Sequence, residues 1–276
     1  MTVGICGLGL IGGSMAKAYK EAGHTVLGYD LNEATLGYCS LASITDGILT
    51  TDTIASCDLI FIALYPMASV KYLEEMAKYI PSSTVVIDLC GTKAKICERG
   101  FELAGEYGFT FVGGHPMAGT QYSGIKYAKA TLFKNAPMVL VPPIYDDIAF
   151  IDNIKKLLSP AGFGKFSVTT AAEHDRMIAF TSQLAHVVSN AYVKTPTAQN
   201  HKGFSAGSYK DMTRVAWLNE NMWTELFLEN KEPLIYELDT IIRSLGEYRD
   251  AIASDNADTL RSLLRDGRIA KEKVDG

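Results

Sequence analysis

Apolar runs recur along the first half of the chain at Val3 to Cys6, Thr25 to Tyr29, Leu59 to Leu64, Thr84 to Leu89, Thr110 to Val112 and Met138 to Val141, many separated by helix-like segments. Near-continuous hydrophobic strands alternating with helices predict a mostly parallel sheet that is covered on both faces. Lys165 to Val168 offers a final strand, Thr169 and Thr170 then read as a helix N-cap, and the pattern is helical from there on. A domain boundary is therefore expected near residue 168.

Within the helical half, the segment from about Ala171 to Lys194 is mostly apolar, yet Ser182, His186, Ser189 and Asn190 share one face. A polar stripe on a buried helix calls for partners. Farther on, Leu234, Leu238, Ile241, Leu245, Tyr248 and Ile252 alternate steps of four and three, the seam of helices packed nearly parallel or antiparallel. A dimer interface and an intrachain helical core both satisfy that pattern.

The first strand runs into Gly7-Leu8-Gly9-Leu10-Ile11-Gly12 and a helix, and Asp30 ends the second strand. Three glycines at this spacing allow a tight turn, close approach of backbone to a pyrophosphate, and close packing of helix on sheet. A carboxylate at the end of the second strand accepts hydrogen bonds from a ribose diol and repels a 2′-phosphate, so the expected cofactor is NAD rather than NADP. The competing reading of Asp30 is a residue that caps the following turn. The fold class is then α/β: an N-terminal Rossmann-type, mostly parallel sheet domain over residues 1–168 and an all-α C-terminal domain over 169–276.

A length of 276 residues suits two domains, and a formal net charge of -5 gives no general attraction for nucleic acid or anionic lipid. The first strand starts close to Met1 and no apolar run reaches membrane-spanning length, which leads us to expect a cytoplasmic protein. The five cysteines, Cys6, Cys39, Cys57, Cys90 and Cys97, form no CxxC pair and have no histidine at ligand spacing, so free thiols and no metal are expected.

Ligands of open α/β sheets bind beyond the carboxyl ends of the strands. Three segments there carry chemistry: Ala63-Leu64-Tyr65-Pro66, which is suited to lining the cofactor, Asp88 to Lys93, and Gly113 to Thr120. In the last, His115 lies between glycines and a proline, in what reads as an irregular loop, and is the best general acid or base. A histidine bonded to its own loop is the plain alternative. In the helical half Lys210 and Arg214 share a helix face; Arg214 either clamps a carboxylate through its planar fork or pairs with Asp211 on the helix surface.

GLGLIGGS, GGHPMAGT with Ser123 and Gly124 nearby, the helix bearing Ser182 and His186, and SYKDMTRVA followed by Trp223 together resemble the prephenate and arogenate dehydrogenases of tyrosine biosynthesis. The resemblance implies oxidation of a ring carbinol with loss of the ring carboxylate as carbon dioxide. It implies that His115 accepts the hydroxyl proton and that Arg214 binds a substrate carboxylate. His186 and Ser182 would lie on the substrate side, Thr120 and Gln121 in the loop over the substrate, and Gly207, Asp211 and Trp223 behind the site or at a partner subunit. A homodimer joined through the helical half is also implied. The chain departs from the family pattern at Gly91, where a serine is common; the catalytic hydroxyl would then come from the adjacent Thr92, with the loop shifted by one residue, or from a water. It departs again at Gln121, where an acid is common, and at Gln183, where a histidine is. Glu220 is the acid nearest to where an arogenate ammonium would be read. Competing readings are a β-hydroxyacid-dehydrogenase-like enzyme centred on Lys210 and an NAD-binding redox sensor without turnover.

Overall fold

The computed structural model describes residues 1–120 and 122–275. Strands β1 (Thr2–Cys6), β2 (Thr25–Tyr29), β3 (Gly47–Ile48), β4 (Leu59–Ile62), β5 (Val85–Asp88), β6 (Thr110–Pro116), β7 (Pro137–Val141) and β8 (Lys165–Val168) form one sheet of order β3-β2-β1-β4-β5-β6-β7-β8. Along β4, Leu59 and Phe61 enter one apolar core while Ile60 and Ile62 enter another, so both faces are dry, as the unbroken hydrophobic runs require. The two-residue β3 is too short to show as a run in the sequence.

All neighbouring strands are parallel except β6 and β7. A parallel neighbour needs a crossover, usually a helix, and among the described residues the connection from β6 to β7 holds only the short helical turn Ile125–Tyr127; the chain returns antiparallel.

The sheet is packed by α1 (Leu10–Glu21), α2 (Glu33–Leu41), α3 (Pro66–Met76), α4 (Ala94–Tyr107) and α5 (Ile148–Leu157). Then come α6 (Ala171–Ile178), a π-helical turn at Ala179–Leu184 and α7 (Ala185–Val193), which together occupy the helix expected over 171–194. The Thr170 hydroxyl accepts from the Glu173 N–H at 3.2 Å, the expected cap. Shorter helices α8 (Gly207–Thr213) and α9 (Glu220–Glu229) follow.

By contacts the chain divides into Met1–Asn230 and Lys231–Gly276. The second unit consists of α10 (Lys231–Ala253) and α11 (Ala257–Asp275), joined by a bond from the Tyr248 hydroxyl to the Leu263 carbonyl at 3.1 Å. The predicted seam lies on α10, where Leu245 is 59% and Ile252 60% exposed. Among the described residues no helix is long and apolar enough to cross a membrane.

Candidate active site

Parallel pairing of β1 with β2 and β4 brings Cys6, Tyr29 and Ile62 side by side, so the segments after these strands share one edge. Gly7 turns there with φ +89°, a conformation that L side chains rarely adopt, and a Cβ on it would lie 2.6 Å from the Ala63 carbonyl oxygen. A Cβ on Gly12 would lie 1.8 Å from the Gly7 carbonyl oxygen, so only glycine lets α1 pack this closely. Gly9 differs: nothing lies within 4 Å of its Cβ direction. Gly9 also starts α1 without a side-chain cap, whereas distant carboxylates reach the starts of α3 and α4. A free helix N-terminus beside an open glycine is what a pyrophosphate needs.

Asp30 takes the turn-capping role and also holds the glycine turn. Its Oδ1 accepts from the Asn32 N–H at 2.9 Å, the turn-capping role, and its Oδ2 accepts from the Leu8 N–H at 2.9 Å, fixing the glycine turn. The residue stays half-buried, with lone pairs left for a ribose diol. Leu8 itself turns its side chain into the core, so its part in the turn is its backbone. Leu10 and Ile11 open α1, Leu64 is half-buried and Tyr65 47% exposed on the same edge. These residues fit a bound dinucleotide.

His115 lies within β6, opposite Val139, because pairing with β7 carries the strand through Pro116; the irregular loop expected around it begins later. Its Nδ1 is 2.8 Å from Nε2 of His174, and Nδ1 of His174 is 2.7 Å from Oδ1 of Asp175. A carboxylate can only accept, so the His174 proton sits on Nδ1 and its Nε2 accepts from Nδ1–H of His115. The Nε2 of His115 is thereby left as a lone pair. Burial, then the neighbouring His174 and the Lys93 ammonium, push the His115 pKa well below the usual histidine range. Burial likewise lowers that of His174, against the opposing pull of Asp175. The Asp175 carboxylate is committed further, accepting from the N–H groups of Lys93 (2.7 Å) and Ala94 (2.8 Å) at the start of α4. The sequence reading missed His174 and Asp175. The available signal was an adjacent His-Asp pair one turn after the predicted N-cap.

Thr92 is buried, and its hydroxyl donates to Oε2 of Glu229 at 2.9 Å rather than to His115. A Cβ on Gly91 would come within 3.2 Å of Leu226 on α9, so this side of the loop is packed by α9. Glu229 is a third residue that the sequence reading missed.

On the helical side, the His186 ring lies 4.0 Å from that of Trp223, and its Nδ1 donates to the Ser182 carbonyl at 2.8 Å. Burial lowers the His186 pKa, the Ser182 carbonyl opposes this, and the Arg214 guanidinium adds to the lowering. Ser182, His186 and Trp223 are thus neighbours, and the Arg214 charge is near enough to act on the His186 ring. Ser182 falls in the π-helical turn, a distortion often found at functional sites. Gln183 turns the other way: it donates to the Leu226 carbonyl at 3.0 Å and accepts from Asn230 at 2.8 Å, which makes it a packing residue. Lys210 and Glu220 are exposed, Thr120 bonds within its own loop, and Gln121 lies outside the described residues. The five cysteines are unpaired and buried.

A glycine turn at the switch between β1 and β4, a half-buried carboxylate just after β2 and an imidazole with one open nitrogen are the parts from which an NAD-dependent dehydrogenase is built. Residues 15–166 match the family described as prephenate dehydrogenase, nucleotide-binding domain, and residues 170–266 match prephenate dehydrogenase, dimerization domain. The chain is 30% identical to the prephenate dehydrogenase of Bacillus subtilis, over 100% of this chain and 76% of that protein. Two solved structures superpose with a TM-score of 0.81 at 26% identity. One is arogenate dehydrogenase from Synechocystis (99% of this chain, 100% of that one); the other is prephenate dehydrogenase from A. aeolicus in complex with hydroxyphenyl propionate and NAD+ (100% and 98%). The chain belongs to the prephenate dehydrogenase family.

Proposed function

We propose that this protein oxidatively decarboxylates prephenate to 4-hydroxyphenylpyruvate in tyrosine biosynthesis, with His115 as the proton acceptor. The observation that carries the assignment is the His115–His174–Asp175 chain, which leaves one unprotonated nitrogen on a half-buried imidazole at the end of a sheet strand. NAD, when bound, supplies the hydride acceptor. As the carbinol carbon gives up hydride, its hydroxyl proton passes to Nε2 of His115, and the ring carboxylate leaves as carbon dioxide because the ring becomes aromatic. The resulting imidazolium keeps its Nδ1–H bond to His174, whose own Nδ1–H remains on Asp175, so the charge forms in a prearranged dipole chain. Arg214 binds a substrate carboxylate, with His186 and Ser182 beside it. Ser182 and Thr120 complete the substrate side, and Gln121 is assigned there on the family pattern.

Thr92, with its proton engaged by Glu229, contributes an oxygen that accepts rather than donates. The functional division falls at 168/169, in accord with family matches over 15–166 and 170–266. The protein acts as a cytoplasmic homodimer joined through the helical half; exposed apolar residues on α10 and the free thiols are consistent with this. Arogenate is the second substrate reading, favoured by the likeness to the Synechocystis enzyme. Initial rates with prephenate and arogenate, each with NAD and NADP, test the assignment. Reduction of NAD with release of carbon dioxide is expected, and no NAD(P)H from either substrate overturns it.

A further inference from the structure

Lys93 is fully buried, its side chain 0% exposed, and its ammonium pairs with the equally buried Asp88 at the end of β5. A buried ion pair is a weak source of stability, because desolvating both charges offsets their attraction. Its surroundings show another use. Oδ1 of Asp88 accepts from the N–H of Gly114 at 3.1 Å, and Oδ2 accepts from the N–H of Cys90 at 2.9 Å. Gly114 is the residue before His115. The Lys93 backbone N–H donates to Asp175, and Asp175 orients His174, which bonds to His115. The hydrogen bonds therefore close a ring running from Asp88 through Gly114, His115, His174, Asp175 and Lys93 back to Asp88. In that ring the Nε2 of His115 is the nitrogen left open.

We propose that the Asp88–Lys93 pair is a positioning and charge-setting device for His115: Asp88 holds the strand segment that carries the imidazole, and the Lys93 ammonium disfavours a second positive charge beside it. The inference rests on His115 being the proton acceptor. Its chemistry is electrostatic. A carboxylate with no path to water holds the lysine protonated, and a fixed ammonium then keeps the nearby imidazole a free base. Burial opposes the charged lysine, yet Asp88 prevails and the Lys93 pKa is raised. The charged and titratable groups facing His115 are His174 and Asp175 from α6, Lys93 at the start of α4 and Asp88 from β5. The thiols of Cys90 and Cys97, which border Lys93, stay protonated because burial pushes them up.

NMR titration of His115 in the full-length protein tests this without reference to turnover. In K93M, and in the neutral pair D88N/K93M, which retains an acceptor for the Gly114 N–H, the His115 midpoint is expected to rise by about one pH unit, a tenfold change in proton affinity. The acid limb of kcat/KM should move with it. A His115 midpoint that stays put in either folded variant overturns the inference, as does a neutral Lys93 at pH 7 in the unaltered protein, a measurement that needs no variant. If the midpoint rises while neither prephenate nor arogenate is oxidised, the charge-setting role stands and the substrate assignment fails.

Discussion

Replacing Asp175 by asparagine changes one buried oxygen into an NH2 group and removes a charge that three N–H donors share. Asn has a single acceptor oxygen. The Lys93 N–H and His174 share Oδ1 while the Ala94 N–H uses Oδ2, so if the Asn oxygen keeps the Ala94 bond, the amide NH2 takes the Oδ1 place, leaves the Lys93 N–H without its acceptor and faces Nδ1 of His174, which must then lose its proton. The tautomer flips along the chain: His174 donates from Nε2, His115 accepts at Nδ1, and the His115 proton moves to Nε2, where the substrate hydroxyl should be received. Losing an anionic cap on α4 costs about 1–2 kcal/mol, and losing a charge-assisted bond to His174 costs about 1.5–3 kcal/mol. With the side chain only 6% exposed, solvent compensates little. A fall in Tm on the order of 10 °C follows for a chain of this size. The kinetic effect is larger, because a base in the wrong tautomer is absent rather than weakened; a loss of about 10³-fold or more in kcat is expected. NADH formation at saturating prephenate measures kcat, calorimetry measures NAD affinity, and differential scanning confirms the folded state. NAD affinity should be unchanged, since the Asp175 carboxylate bonds to Lys93, Ala94 and His174 and not to the glycine turn. A folded D175N protein that retains kcat to within about tenfold would refute the tautomer argument.

Gly9→Ala and Gly12→Ala separate binding from folding. With open space at its Cβ, G9A should keep stability to within about 1 kcal/mol while NAD binds about tenfold more weakly. G12A, whose Cβ meets the Gly7 carbonyl, should lose about 3 kcal/mol or more; equal Tm values for the two would contradict the geometry. Arg214→Ala should raise the KM for prephenate about 10- to 100-fold and leave the KM for NAD alone, and parallel changes in both would remove its role as a carboxylate clamp. His115, His174 and His186 all have folded pKa values depressed below the ordinary 6.5, so the unfolded chain binds protons first. Tm should therefore be flat above about pH 6.5 and fall below it, until the folded histidines also protonate, a trend that calorimetry across pH can deny.

The glycine turn, Asp30, the strand runs and the His115 segment were all legible in the chain, because each is written in local spacing: periodicity, a glycine where a Cβ has no room, a carboxylate at a strand end. The direction of β7 was less legible, for it depends on the connection from β6, whose described residues hold no crossover helix. His174 and Asp175 lie 59 and 60 positions from His115, and Glu229 lies 137 from Thr92. No spacing rule joins such pairs. Even Gln183, next to Ser182 in the π-helical turn, points toward Leu226 and Asn230. The sequence alone determined the layers, the glycine turn and the place of His115 near a strand end. The tertiary structure decided that imidazole's tautomer, its charge and its partners, since these depend on which donor meets which acceptor when a helix packs across the strand ends.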